Sequence, residues 1–225
     1  MMESATLIKR AGCGIGLFLL LASPAFCGPL NGDATALLSG TTAFDNSVFD
    51  IPSGKFVGLK GTVDYAVYTN TAFQTEWGGL GYNPTGAVVY VYQVFPDPNS
   101  ATLTSFNVSH LSVHIENPAG EVGSFTIGGG QLPSSAGIGA LGPPSADWAF
   151  NPEIVPGASS AGLAFSSPYT PIMRYGSLVD GGTQADVIPL PTPGTSGIPE
   201  PGTIVLLVIG ALFCLPTCMR RIRLR

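Results

Sequence analysis

An all-β fold, an antiparallel β-sandwich of jelly-roll or Ig-like type, is predicted by three features of this chain. Between Gly28 and Ile198 the apolar residues recur in short alternating runs and show no long helical periodicity. Clusters of Gly, Pro, Asn and Asp punctuate those runs where turns belong. The stretch is roughly 160 residues long, one domain's worth and enough to bury a proper core. Seven to ten short strands are expected, and no helix.

The elements follow in order. Residues 61–69 set Val63, Tyr65 and Val67 against Thr62, Asp64 and Ala66, which reads as a half-buried strand. Residues 87–95 are nearly all β-formers and read as a central strand buried on both faces. The sequence Pro96-Asp97-Pro98-Asn99 then turns the chain. Residues 104–116 alternate, with Leu111, Val113 and Ile115 on one side and His110, Ser112, His114 and Glu116 on the other. Residues 117–120 form a further turn. Strands are also expected over 121–127, 147–150, 162–166, 172–179 and 185–190, with loops at 128–130 and 134–144. The sandwich domain is read as 28–188. Residues 189–198, with Pro189, Pro191 and Pro193, read as a polyproline II spacer about 30 Å long.

The two ends carry targeting signals. Lys9 and Arg10 precede an apolar stretch from Ala11 to Ala22, and Ser23-Pro24 breaks it. Ala25-Phe26-Cys27 offers small residues for cleavage between Cys27 and Gly28, so residues 1–27 read as a secretory signal peptide. Signal peptidase and the Sec machinery are the partners this implies. At the other end, residues 203–219 (Thr203 through Met219) hold no charge. As a helix they span roughly 25 Å, the short end of what crosses a bilayer. Arg220, Arg221, Arg223 and Arg225 follow and fix the basic end in the cytoplasm. The body between the two signals is thus expected to be translocated.

Pro199-Glu200-Pro201, one apolar span and an arginine-rich end together resemble the PEP-CTERM sorting domain of Gram-negative bacteria. The resemblance covers residues 199–225. It implies export, transient residence in the inner membrane, recognition of Pro199, Glu200 and Pro201 by an exosortase-like processing enzyme, and delivery to the envelope or extracellular space. It also suggests association with exopolysaccharide or biofilm. About the activity of the body it implies nothing.

Residues 28–198 hold three bases (Lys55, Lys60, Arg174) against twelve acids, a net charge of −9. Such a surface repels nucleic acid, which is excluded as a partner. Cys13, Cys27, Cys214 and Cys218 all lie in the signals, so the body offers no disulfide, thiolate metal site or catalytic thiol. Nucleophile elbow, metalloprotease and phosphate-loop motifs are missing, and a non-enzymatic role is expected.

Three sets of side chains are candidates for binding. Trp77, Tyr82 and Trp148 are the first, as rings on which a sugar could stack; Trp77 and Tyr82 flank a glycine-rich, loop-like stretch. Core packing is the competing account of such rings. His110, His114 and Glu116 are the second, but on a strand the two histidines stand about 13 Å apart and cannot share one ion. Asp45, Asn46 and Asp50, with Asp97 and Asn99, are the third. They are oxygen ligands of the kind calcium takes, although turn chemistry explains both clusters without an ion. No metal site and no cofactor are expected beyond that calcium option.

Overall fold

The computed structural model describes residues 29–46, 48–52, 55–98, 107–115, 120–139, 144–180 and 183–197. Along them run β1 (Leu38–Asp45), β2 (Val48–Asp50), β3 (Lys55–Val57), β4 (Lys60–Thr69), α1 (Asn70–Trp77), β5 (Val88–Pro96) and β6 (Val108–His114). Then follow β7 (Val122–Phe125), β8 (Ser135–Gly139), β9 (Ser145–Ile154), β10 (Gly162–Ser167), β11 (Tyr169–Asp180) and β12 (Thr183–Gly197). They form two five-stranded antiparallel sheets, ordered β1-β4-β5-β10-β7 and β12-β11-β6-β9-β8, with β2-β3 as a separate hairpin. The predicted all-β sandwich is borne out at this level, as two antiparallel sheets and one short helix.

The sequence of β5, Val-Val-Tyr-Val-Tyr-Gln-Val-Phe-Pro, explains its central place. Its even-numbered Val88, Tyr90, Tyr92 and Val94 join Leu111, Val113, Trp148, Leu178, Ile188 and Leu190 of the second sheet in one core. Phe165 of β10 stacks on Tyr90 with ring centroids 4.9 Å apart and lies 6.4 Å from Trp148. Each such side chain, fully buried, contributes roughly 1.5–3 kcal/mol. The odd-numbered Val89 and Val91 face the other way, into a second apolar cluster with Leu30, Tyr68, Phe73, Tyr82, Phe125 and Ile127.

That second cluster corrects two expectations. Strand β4 is buried on both faces rather than half-buried, because α1 and the chain around Leu30 and Tyr82 cover the outer side of its sheet. The helix itself was not expected. Thr69 caps it, accepting a hydrogen bond from the Ala72 amide at 3.2 Å, and Phe73 plugs it into the sheet between Tyr68, Tyr82 and Phe125. Two edge strands also went unforeseen. β1 forms one edge of its sheet, and β8 lies within the expected loop 134–144.

A third correction concerns residues 189–197. They are not a polyproline spacer but the second half of β12, paired with β11 down to Tyr169↔Gly197. The domain therefore runs past 188. The prolines fit because they stand at every second position of an edge strand. Neighbouring residues of a strand present their backbone groups to opposite sides, so all three missing N–H groups fall on one side. The carbonyls on that same side are occupied by the first sheet: Thr42 Oγ1 donates to the Pro189 carbonyl at 2.9 Å, and the Tyr92 hydroxyl donates to that of Pro191. Edge strand β12 is thus tied to the facing sheet rather than left open.

No helix among the described residues is long and apolar enough to cross a membrane. The signal peptide (1–27), the cleavage position at Cys27 and Gly28, the motif Pro199-Glu200-Pro201, the span from Thr203 to Met219 and the arginines to Arg225 lie outside the described residues.

Candidate functional site

The aromatic candidates do not form a platform. Trp148 is fully buried, and its indole Nε1 donates to the Gly123 carbonyl at 2.7 Å. Tyr82 is 6% exposed, with its ring edge-on to Phe73 and its hydroxyl donating to the Glu121 carbonyl at 2.7 Å. Trp77 is half-buried on α1, tilted against Phe125 at 5.7 Å. Two sheets separated by a core explain the mismatch. Trp148 belongs to the inter-sheet layer, Tyr82 and Trp77 to the layer outside the first sheet, so β7 lies between them.

The histidines stand on β6 as the alternation requires, half-buried on the outer face of the second sheet. His110 Nε2 lies 3.5 Å from Asp147 Oδ1 on β9, and Ser145 Oγ donates to Asp147 Oδ2 at 3.1 Å. Among the described residues no three His, Cys, Asp or Glu side chains are placed to hold a metal ion, and Glu116 lies outside them. The oxygen clusters are answered by a base. Asp45 pairs across the sheet with Lys60, whose ammonium is 3.6 Å from Asp97 Oδ2. The Asp50 side chain and Asn99 lie outside the described residues, while Asn46 sits where β1 ends, its amide donating to the Leu59 carbonyl at 3.1 Å.

The most distinctive exposed surface is one that pattern reading did not single out. Strand β6 pairs with β11 only over Gly176–Asp180, so residues 169–175 of β11 have β12 as their one sheet neighbour. On this ribbon Met173 is 48% exposed, Tyr175 64% and Val187 49%. The pairings Tyr175↔Pro189 and Ser177↔Val187 put these side chains and Pro189 on one face. That face continues the outer side of the second sheet, opposite the layer that α1 covers. Residues 169–179 and 187–197 contain no acid and a single base, Arg174. In a body of net charge −9, this half of the ribbon is free of acids, as is the run 122–146, while Asp180 and Asp186 stand at its other end. The signal was present in the sequence as a gap in the distribution of acids, hidden because 189–198 read as a spacer. Comparison with protein-family models, with curated proteins and with solved structures finds no match.

Proposed function

We propose that this chain is an exported envelope or extracellular-matrix protein with a structural or adhesive role, sorted through its C-terminal tail. The signal peptide directs translocation, and the tail from Pro199 to Arg225 holds the chain in the inner membrane. An exosortase-like enzyme then recognises Pro199, Glu200 and Pro201 and releases the body toward the cell surface or medium. There it associates with exopolysaccharide or biofilm. The observation that carries this reading is the tripartite tail: a short polar motif, 17 uncharged residues and four arginines in the last six positions.

Two structural facts support it. Leu30, the third residue after the expected cleavage position, is already fully buried. Among the described residues strand β12 runs to Gly197, and the motif begins in the sequence at Pro199. The test is intact-mass spectrometry of the protein from its native envelope and medium. Termini at Gly28 and near Pro199 are expected. A mature chain still ending at Arg225 would overturn sorting by cleavage.

A further inference from the structure

We infer that the exposed face of the β11–β12 ribbon is a membrane-contact surface, resting on the lipid headgroup boundary while the tail is inserted. The inference rests on the sorting-tail reading but concerns the folded body. Three observations converge on it. The ribbon carries the exposed apolar side chains Met173, Tyr175 and Val187 on one face, with exposed Pro189 between them. A tyrosine among aliphatic residues suits the interface, where its ring sits at headgroup level and its hydroxyl stays wet.

Charge selects the same surface. Anionic headgroups repel a body of net charge −9, and the approach is least costly where the acids are missing. Residues 169–179 and 187–197 hold none, and Arg174 adds a base among them. Asp180 and Asp186 stand on the same two strands at the end opposite Tyr169 and Gly197, and inward along the sheet the next acid is Asp147 on β9.

Connectivity completes the argument. Gly197 pairs with Tyr169 at the ribbon's end. From there five residues, 198–202, lead to the apolar run and reach at most about 17 Å when extended. Tyr175, six residues along β11 from that end, is roughly 20 Å away. A tail inserted at residue 203 therefore holds the ribbon within one strand length of the bilayer.

The experiment uses the full chain reconstituted into vesicles of phosphatidylethanolamine and phosphatidylglycerol whose acyl chains are brominated near the headgroup. Single tryptophans are introduced as Tyr175→Trp on the ribbon, Leu80→Trp on the layer covering the other sheet, and Leu207→Trp in the tail. Emission is corrected for Trp77 and Trp148 using the unsubstituted chain. The Tyr175→Trp emission is expected to fall roughly by half, since interfacial side chains sit about 5–10 Å into the boundary that carries the bromines. The Leu80→Trp emission should hold, and adding Met173→Glu should restore most of the Tyr175→Trp signal. Quenching at Leu207→Trp with none at Tyr175→Trp would overturn the contact and leave the tail reading standing. No quenching at Leu207→Trp would overturn the tail reading, and the contact with it. A Tyr175→Trp signal that responds to added exopolysaccharide and not to bromolipid would overturn the contact in favour of a glycan surface.

Discussion

Tyr68 and Asp33 tie the first described residues to the sheet. The Tyr68 hydroxyl donates to Asp33 Oδ2 at 2.6 Å, while the Thr35 amide and hydroxyl donate to Oδ1 at 2.8 and 2.7 Å. Partial burial raises the Asp33 pKa, but these donors outweigh it and the net shift is downward. A carboxylate with a depressed folded pKa stabilises the fold above its unfolded value, near 3.9, and that contribution fades as pH falls through the folded pKa. Tyr68→Phe should therefore cost about 1 kcal/mol at neutral pH, modest because Asp33 is partly open to water. The cost should shrink toward zero once Asp33 is protonated. Urea unfolding at pH 7 and near pH 3 checks it, and an equal loss at both pH values would break the argument. Gly123 has a comparable role on β7. A Cβ there would stand 2.9 Å from the Tyr82 ring, and its carbonyl takes the Trp148 indole proton from the other side. Trp148→Ala should cost about 3–5 kcal/mol, the range for emptying a large core site. Trp77→Ala should cost visibly less, because that ring is only half-buried. Thermal melts of the two variants would show whether Trp148 is the core residue its burial makes it. Nothing in the residue type told core ring from binding ring: a tryptophan supplies the same apolar area to either, and only the layer it falls in decides.

Strands β5 and β6 were legible because β5 is an almost unbroken run of β-branched and aromatic residues and β6 alternates apolar with polar ones. Helix α1 was not, since Asn-Thr-Ala-Phe-Gln-Thr-Glu-Trp offers only Phe73 and Trp77 at helical spacing and forms because a sheet lies beneath it. The edge strands β1 and β8 escaped for a related reason. Five residues of Ser-Ala-Gly-Ile-Gly carry one large side chain, too little for a period to show. In β12 the prolines suppressed a strand reading, yet their period-2 spacing was the signal of an edge strand whose missing donors all face away from the partner. Two lengths of the chain test this. Ended at 197, the body should fold; ended at 188, it loses fully buried Leu190 and the carbonyls that bond Thr42 and Tyr92. The shorter chain should be less stable by several kcal/mol, at about 2–5 kcal/mol for the loss of one such leucine side chain alone. Hydrogen exchange at β11 and at Tyr92 should rise with it. If the two lengths melt together, residues 189–197 are the spacer that their composition suggested.

Burial on both sides of the first sheet has a consequence for the whole molecule at high pH. Tyr68, Tyr82, Tyr90 and Tyr92 are buried, and burial pushes each phenol above its ordinary range. Asp33 adds to the rise at Tyr68, Glu121 at Tyr82 and Tyr90 at Tyr92. The sign follows from linkage. With the folded pKa raised, the unfolded chain releases protons first, so the stability these groups lend is complete below about pH 10 and declines above it. Each group whose ionisation is suppressed in the fold contributes a slope of about 1.4 kcal/mol per pH unit, so four together give roughly 5 kcal/mol per unit. Against a typical domain stability of about 5–15 kcal/mol, the sandwich should unfold within one to three units above pH 10. The phenols sit in both apolar clusters, Tyr90 and Tyr92 between the sheets and Tyr68 and Tyr82 under the α1 layer. The two clusters share strands β4 and β5, so neither layer can admit hydroxide while the other stays closed. In a chain carrying Phe at 65, 169 and 175, the phenolate absorbance of the remaining four tyrosines should therefore rise in one cooperative step, coincident with loss of the β-sheet circular dichroism. A phenolate signal growing while the sheet signal holds would mean that water reaches these rings in the folded state, which a layer closed on both faces of β5 does not permit.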